Sequence, residues 1–328
     1  FPAMTAVTVL EAIDQLTTEG YLETRPSSGT YVTDMLPDDL LRIEANPPRL
    51  TGIGSMKRTI ARRGALYASS EYTARRRTSP DRVFTVGVPA LDRFPFDIWA
   101  RLMADHYRHA PLETLDYNVS DRAGYLPLRM AIAEYLQTAR AVRCTPEQVI
   151  ICNGSQQGMY IASRVLLDPG DSAWMEEPGH PGVRWVLHTA GAKVVPVPVD
   201  ECGIVVEAGI SRAPDARLAV VTPSLQFPIG STMNLKRRTE LLLWANRNDA
   251  WIVEDDYNHE FRYVGHPLMS LQGLDTGDRV IFAGTFSKSM FPSLRIGYVV
   301  VPPDLIDLFT AARAMIDIQT PMVVQAAL

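Results

Sequence analysis

From about residue 84 onward, short apolar runs alternate with segments of helical periodicity, and this alternation narrows the possible folds more than any other feature. The strand-like runs are residues 172–176, 194–199, 218–222, 251–254, 280–283 and 296–301. The helix-like segments are residues 127–140, 156–167 and 236–247. Strands that alternate with helices are typical of βαβ units, in which the strands pair in parallel. The sequence therefore predicts an α/β fold built on a mostly parallel sheet.

The composition fits a large domain and argues against several other classes of protein. With 328 residues, 46% of them hydrophobic, the chain can bury a sizeable core. A formal net charge of -5 does not suggest a protein that coats nucleic acid. Cys144, Cys152 and Cys202 include no close pair, which argues against a disulfide framework or a zinc cluster and favours a reducing compartment. No apolar run approaches the ~20 residues of a membrane span and no leader pattern is visible, so we expect a cytoplasmic protein.

Three regions differ in pattern along the chain. Residues 1–34 carry apolar side chains at a spacing of three and then a turn-rich pair of short runs, which predicts a helix followed by a hairpin. Residues 35–83 lack sustained periodicity; between positions 42 and 82 they hold ten Lys or Arg against three acids, a balance of +7. We interpret this region as a basic linker, and residues 84–328 as the α/β domain.

Lys288 has the neighbours of a lysine that holds an aldehyde cofactor. It follows the apolar run 280–283, is preceded by Thr285 and Ser287, and is followed seven residues later by Arg295. A lysine that forms a Schiff base must be partly desolvated or lie near other cations, so that its amine is unprotonated near neutral pH. The hydroxyls and the arginine suit a phosphate dianion. The alternative is a strand end followed by a loop with an exposed lysine.

A glycine-containing turn supplies a second candidate phosphate site. Residues 153–158, Asn-Gly-Ser-Gln-Gln-Gly, follow the apolar run 149–152 and precede a helix. The backbone amides at a helix N-terminus bind phosphate well. The alternative is an ordinary strand-to-helix turn in which Ser155 caps the helix.

Carboxylates and a tyrosine follow the strand-like run 251–253. Asp255 and Tyr257 would lie at the carboxyl end of a strand, where open α/β sheets bind ligands. An aspartate there could pair with a protonated pyridine nitrogen, and the tyrosine could reach an oxygen on the same ring. A solvated loop remains open, as does a metal site that would also use His259 and Glu260.

Residues 177–182, Glu-Pro-Gly-His-Pro-Gly, read as a turn-rich loop directly after a strand. The imidazole of His180 could stack on a cofactor ring from the tip of this loop. An ordinary loop histidine is the alternative.

The order of these segments resembles the fold-type I pyridoxal-phosphate family, the aspartate-aminotransferase superfamily. The resemblance covers roughly residues 84–328 and rests on five elements, which are the turn at 153–158, the loop at 177–182, Thr-Pro-Ser-Leu-Gln-Phe-Pro-Ile-Gly at 222–230, the Asp-Asp-Tyr strand end and the Ser-Lys motif with its downstream arginine. It implies pyridoxal 5'-phosphate as cofactor and no metal.

The resemblance also implies roles for individual residues. Lys288 would form the internal aldimine, Asp255 would pair with the pyridine nitrogen and Tyr257 would bind the ring oxygen. His180 stands where the family more often has a stacking tyrosine, and Gln226 would lie near the ring. The phosphate would be bound by Ser155, Gln156, Thr285, Ser287 and Arg295. Tyr117 would reach the phosphate held by a neighbouring subunit, and Leu225 replaces the family's histidine.

The N-terminal region resembles part of a GntR-type winged helix. The elements Glu-Gly-Tyr-Leu at 19–22, Arg-Pro at 25–26 and Gly-Thr-Tyr-Val at 29–32 carry this resemblance. Joined through a linker to an aminotransferase-like domain, it resembles the MocR regulators. The resemblance implies a transcriptional regulator that senses pyridoxal phosphate, an amine or an amino acid, with operator DNA and a second subunit as partners and no membrane association. The alternatives are an aminotransferase acting on an amino acid and a 2-oxo acid, and a degenerate domain that binds no cofactor.

Two expectations limit that interpretation. Residues 1–34 hold five acids and one base, a net charge of -4, so this partial winged helix should bind DNA poorly by itself, or serve only as a domain interface. The families named above also have earlier helices in the winged helix and a C-terminal small domain with an arginine that grips a substrate carboxylate. We expect both to be largely missing from residues 1–328, so whether the domain catalyses transamination stays open.

Overall fold

The helix predicted at the start of the chain is present and leads into a two-stranded hairpin. In the computed structural model, which describes residues 6–34, 36–37, 59–68, 87–117, 121–261 and 269–328, α1 is Ala6–Thr18, β1 is Leu22–Arg25 and β2 is Gly29–Val32. The hairpin is antiparallel, with Leu22 opposite Val32. Gly20 ends the helix at φ 82°, a left-handed conformation that glycine adopts without strain.

The single basic side chain of this N-terminal region makes its contacts within the hairpin. Arg25 is the one basic residue between positions 1 and 34. Its guanidinium pairs with the carboxylate of Glu23 and lies 5.0 Å from the centre of the Tyr31 ring. The guanidinium of Arg25 is therefore engaged by an acid and an aromatic ring of the same hairpin.

The chain divides into two units, Phe1–Ile60 and Ala61–Leu328. Most of the predicted basic linker, residues 35–83, lies outside the described residues, and the three-region division stays a prediction. The second unit begins with the helix α2, Arg62–Ala68. Its further helices are α3 Phe96–His109, α4 Leu126–Arg140, α5 Ser155–Leu166, α6 Pro181–Ala190, α7 Val206–Arg212, α8 Leu235–Arg247, α9 Leu271–Leu274, α10 Ile306–Asp317 and α11 Met322–Ala327.

An eight-stranded sheet forms the centre of the second unit. Its strands are β3 Val149–Cys152, β4 Ser172–Glu177, β5 Lys193–Asp200, β6 Gly203–Ile204, β7 Leu218–Val221, β8 Trp251–Asp256, β9 Val280–Thr285 and β10 Gly297–Val300. The strand order is β3-β10-β9-β8-β7-β4-β5-β6. The five strands from β9 to β5 in this order run parallel, whereas β10 and β6 pair antiparallel to their neighbours. The predicted α/β fold with a mostly parallel sheet is confirmed.

Both faces of this sheet are buried, which explains why its strands are continuous apolar runs. Successive side chains of a strand point to opposite faces. In β9, Ile281 and Ala283 join one core cluster, whereas Val280 and Phe282 join clusters on the other face. Strands covered on both faces have no polar side to alternate with.

Short 3-10 helices complete the described secondary structure, at Leu91–Arg93, Leu112–Leu115, Pro146–Gln148, His259–Phe261, Pro292–Leu294 and Pro303–Leu305. Among the described residues, no helix is long and apolar enough to cross a membrane.

Candidate functional site

A cavity of about 930 Å³ opens at the carboxyl ends of the parallel strands. Ten of the eleven residues predicted from the sequence line it, namely Ser155, Gln156, His180, Gln226, Asp255, Tyr257, Thr285, Ser287, Lys288 and Arg295. Parallel strands end at one edge of the sheet, so loops far apart in sequence meet there. Tyr117 is not among the lining residues and is 78% exposed, so its predicted role toward a neighbouring subunit stays a prediction.

The amine of Lys288 lies in this cavity, three residues beyond the end of β9. Its Nζ donates to the carbonyl oxygen of Gly87 at 2.8 Å. Burial lowers the pKa of Lys288, and the carboxylate of Asp255 opposes this shift. A lowered pKa gives the amine a larger unprotonated fraction at neutral pH, which a nucleophilic lysine requires. No pattern in the sequence pointed to Gly87, because it lies 201 residues from Lys288.

Asp255 lies near the end of β8 with an unpaired oxygen. The residue is 5% exposed, and its Oδ1 has no hydrogen-bond partner among the described residues. Burial, together with Asp256 and Glu176, raises the pKa of Asp255 to about 7, while Lys288 lowers it. A buried carboxylate without a donor is costly. Such a group is a candidate for pairing with a cationic or N–H-bearing ligand.

The turn before α5 brings backbone amides, hydroxyls and a guanidinium together. Gly154 takes the N-cap position at φ 79°, and Ser155 is the first helical residue, so the alternative in which Ser155 caps the helix is wrong. Arg295 Nη2 donates to the carbonyl oxygen of Asn153 at 2.7 Å. In the same cavity the hydroxyl groups of Thr285 and Ser287 lie 3.0 Å apart. The regular bonding of α5 opens with a bond from the Gln157 N–H to the carbonyl oxygen of Gly154 at 3.2 Å, so the amides before it, the two hydroxyls and the guanidinium make this corner suited to an anion.

We predict that Gly154→Ala lowers stability and disturbs this corner. A Cβ at position 154 would lie 2.8 Å from Nη2 of Arg295, and the backbone has a φ that alanine rarely adopts. We expect a loss of about 1–2 kcal/mol in the free energy of unfolding. Urea unfolding of the variant and the wild type measures this loss. An unchanged unfolding midpoint would contradict the strain argument.

Aromatic rings form one wall of the cavity. The rings of His180 and Phe227 lie 5.6 Å apart in an edge-to-face arrangement, and those of Phe227 and Tyr257 lie 6.3 Å apart. Burial lowers the pKa of His180, with a further contribution from the Lys288 charge, so its imidazole is neutral at physiological pH. Burial and the nearby Asp255 raise the pKa of Tyr257 to about 12, which keeps its phenol protonated.

Gln226 lines the cavity, but its amide also ties two loops together. Its Nε2 lies 3.0 Å from Oε2 of Glu176, 2.9 Å from the carbonyl oxygen of Pro178 and 2.7 Å from that of Phe227. Its Oε1 accepts from the backbone N–H of Ile229 at 3.2 Å. These contacts hold the loop that carries His180 against the loop that carries Phe227. The prediction that Gln226 lies near the cofactor ring fits its place on the cavity wall, but its amide is mostly used by protein partners.

Asp256, the last residue of β8, is engaged with basic partners. Asp256 Oδ2 accepts from Nε of Arg140 at 2.7 Å and lies 3.2 Å from Nδ1 of His259. Nε2 of His259 lies 2.9 Å from the hydroxyl of Tyr135. Within the described part of the chain, no group of three His, Cys, Asp or Glu residues is placed to hold a metal ion.

Comparisons with known proteins agree with this fold. The family model "Aminotransferase class I and II" matches residues 95–328. LysN, an α-aminoadipate aminotransferase of Thermus thermophilus solved as a complex with N-(5'-phosphopyridoxyl)-L-leucine, superposes with a TM-score of 0.67 at 30% identity. That match covers 80% of this chain and 68% of LysN.

Two curated regulators are similar over nearly the whole chain. The probable rhizopine catabolism regulatory protein MocR of Rhizobium meliloti is 43% identical over 327 residues, which are 98% of this chain and 63% of that protein. The HTH-type pyridoxine biosynthesis transcriptional regulator PdxR of Corynebacterium glutamicum is 31% identical over 98% of this chain and 63% of its own length. This chain thus spans less than two thirds of either relative. The family model and these relatives show that the chain belongs to the class I and II aminotransferase family and that its sequence is of the MocR type.

Proposed function

We propose that this protein is a DNA-binding transcriptional regulator that responds to pyridoxal phosphate, or to an amine or amino acid that reacts with it, through Lys288. The observation that carries the proposal is the joining, in one chain, of a GntR-like helix and hairpin to an aminotransferase fold whose cavity holds Lys288. The similarity to MocR and PdxR supports the regulator interpretation. We place the protein in the cytoplasm, where a regulator meets its operator.

The cavity fits pyridoxal phosphate at three chemically different groups. The orphaned carboxylate oxygen of Asp255 suits the N–H of a protonated pyridine ring. The amine of Lys288, with its lowered pKa, suits an aldehyde. The turn at Gly154 and the guanidinium of Arg295 suit a phosphate. A Cβ on Gly154 would fill part of this phosphate cradle, which supports the same assignment.

When bound, pyridoxal phosphate supplies an electrophilic aldehyde on an electron-withdrawing ring. Lys288 would donate the nucleophilic amine and bind the cofactor covalently. Asp255 would keep the pyridine nitrogen protonated, because its negative charge stabilises the adjacent cation in a buried setting. Ser155, Gln156, Thr285, Ser287 and Arg295 would hold the phosphate, and His180 and Tyr257 would orient the ring.

Regulation requires that the ligand distinguish between two arrangements of the protein. A ligand shifts such an equilibrium only by its differential affinity for the two states. We propose a homodimer in which the exposed Tyr117 would contact the second copy, and operator DNA as the partner of the winged helix.

An aminotransferase is the second candidate function, and the lowered pKa of Lys288 favours it, because an unprotonated amine can also move a proton. We expect the purified protein to show the absorbance of a lysine-bound cofactor, to bind its operator in a ligand-dependent way, and to turn over amino-acid and 2-oxo-acid pairs far below ~1 s⁻¹. The measurements are a spectroscopic titration, DNA binding with and without candidate amines, and a transamination assay. Sustained enzyme-like turnover without operator binding would overturn the regulator proposal.

A further inference from the structure

Asp317 occupies an unfavourable position in its own helix. It is the last residue of α10, where the negative end of the helix dipole disfavours a carboxylate. Its Oδ2 accepts from Nδ2 of Asn153 at 2.6 Å and from Nε2 of Gln157 at 2.9 Å. Both partners belong to the turn and first helical residues that follow β3. The bonds that this carboxylate makes to another element therefore offset its unfavourable place in the helix dipole.

Asn153 is fixed at three of its atoms, one of them by Asp317. Its backbone N–H donates to Oε1 of Gln157 at 2.7 Å, and its carbonyl oxygen accepts from Nη2 of Arg295 at 2.7 Å. The third contact is the side-chain bond to Asp317. Because Asn153 directly precedes Gly154, these three bonds set the direction of the peptide that leads into the first turn of α5.

Arg313 anchors Asp317 to the same strand end. Its side chain is 1% exposed, and its Nη2 lies 3.4 Å from Oδ1 of Asp317. Its Nε donates to the carbonyl oxygen of Ile151 at 3.2 Å, and Nη2 donates to Oγ1 of Thr320 at 2.8 Å. The carboxylate of Asp317 therefore lies within ion-pair distance of a buried guanidinium that is bonded to β3, and this charge favours the position from which Oδ2 accepts from Asn153.

We propose that Asp317 is a positioning residue for the phosphate-binding turn, an assignment that rests on the proposed function. Asp317 does not line the cavity and so acts through Asn153 and Gln157. It holds the turn in the geometry that lets the first-turn amides and Arg295 converge on one anion. Its loss should therefore weaken recognition of the phosphate and leave recognition of the pyridine ring and the aldehyde unchanged.

The test compares two aldehydes that differ only in the phosphate. Protein freed of cofactor with hydroxylamine is titrated with pyridoxal phosphate and, separately, with pyridoxal, and the absorbance of the lysine-bound aldehyde is followed. For Asp317→Ala we expect the Kd of pyridoxal phosphate to rise about tenfold, comparable to one lost hydrogen bond to a charged group, and the Kd of pyridoxal to change less than about twofold. Asp317→Asn keeps an oxygen acceptor and should fall between alanine and the wild type.

Asp307→Ala is the matched control, because Asp307 is exposed in the first turn of the same helix. It should leave both Kd values within about twofold of the wild type. Thermal unfolding of each variant shows whether the fold is retained, and Asp317→Asn carries the test if the alanine variant unfolds. Equal losses for both aldehydes, or no loss for pyridoxal phosphate, would overturn the assignment while leaving the proposed function intact. Wild-type protein that binds neither aldehyde would overturn both.

Discussion

Lys288→Ala is expected to abolish the absorbance of a lysine-bound pyridoxal aldehyde and to weaken retention of the cofactor about a hundredfold or more. The reason is that Lys288 supplies the only lysine amine among the cavity-lining residues. The described cavity lining has one arginine as well, Arg295, and a guanidinium does not replace a lysine amine in this covalent bond. Absorbance after desalting measures retention, and borohydride reduction followed by mass spectrometry locates the attached residue.

The matched control for this variant is Lys236→Ala. The side chain of Lys236 is 86% exposed and lies outside the cavity lining, so its removal should change neither the band nor the mass of the reduced adduct. A Lys288→Ala protein that keeps the band would show that another lysine carries the cofactor. In that case both the proposed function and the role of the cavity would have to be abandoned.

The sequence predicts those parts of the site that depend only on which residue follows which strand along the chain. A strand that carries Asp255 near its end, and a strand followed by Lys288, must deliver both side chains to the same edge when the strands are parallel. The turn at Gly154 could be predicted in the same way, because it follows an apolar strand and precedes a helix. Local pattern therefore determines most of the cavity wall.

Contacts between distant segments could not be predicted in this way. The bond from Lys288 to Gly87 and the bond from Asn153 to Asp317 join residues that are 201 and 164 positions apart. No periodicity links such positions, because each contact depends on how loops pack in three dimensions. Gln226 illustrates the same limit, since its motif placed it beside the ring but did not reveal its bonds to Glu176 and Pro178.

Several helices were also missed, and the cause lies in their composition. The helix α6 begins at Pro181, inside the segment that reads as a turn-rich loop, because proline is tolerated in the first turn of a helix. The helix α3 has an apolar face in its sequence pattern but no fully buried residue, and it too was not predicted. Tertiary contacts decide the ends of such elements.

Asp255→Asn is expected to stabilise the unliganded protein while weakening its hold on the cofactor. In the folded protein the pKa of Asp255 is raised from 3.8 to about 7, first by burial and then by Asp256 and Glu176. Between about pH 4 and pH 7 the folded state therefore keeps a proton that the unfolded state has lost. The free energy of unfolding must therefore fall as pH rises through this window. Above about pH 7 the buried carboxylate is ionised, and the loss of stability is complete.

Asparagine has no such proton to lose. The free energy of unfolding of Asp255→Asn should therefore exceed that of the wild type by on the order of 2–4 kcal/mol at about pH 8, and by almost nothing near pH 4. Urea unfolding of both unliganded proteins across this pH range measures the difference. Asp215→Asn, at an exposed position, serves as the control and should follow the wild type at every pH.

Asp255→Asn should weaken cofactor binding, although it stabilises the unliganded protein. An amide has no negative charge to stabilise a protonated pyridine nitrogen, so the Kd of pyridoxal phosphate should rise about tenfold or more. A buried charge that costs stability in the unliganded protein and contributes affinity in the complex is what a binding site requires, and not what a structural carboxylate would show. If Asp255→Asn were less stable than the wild type at about pH 8, or bound the cofactor equally well, Asp255 would be a structural residue and the pairing with the ring nitrogen would be wrong.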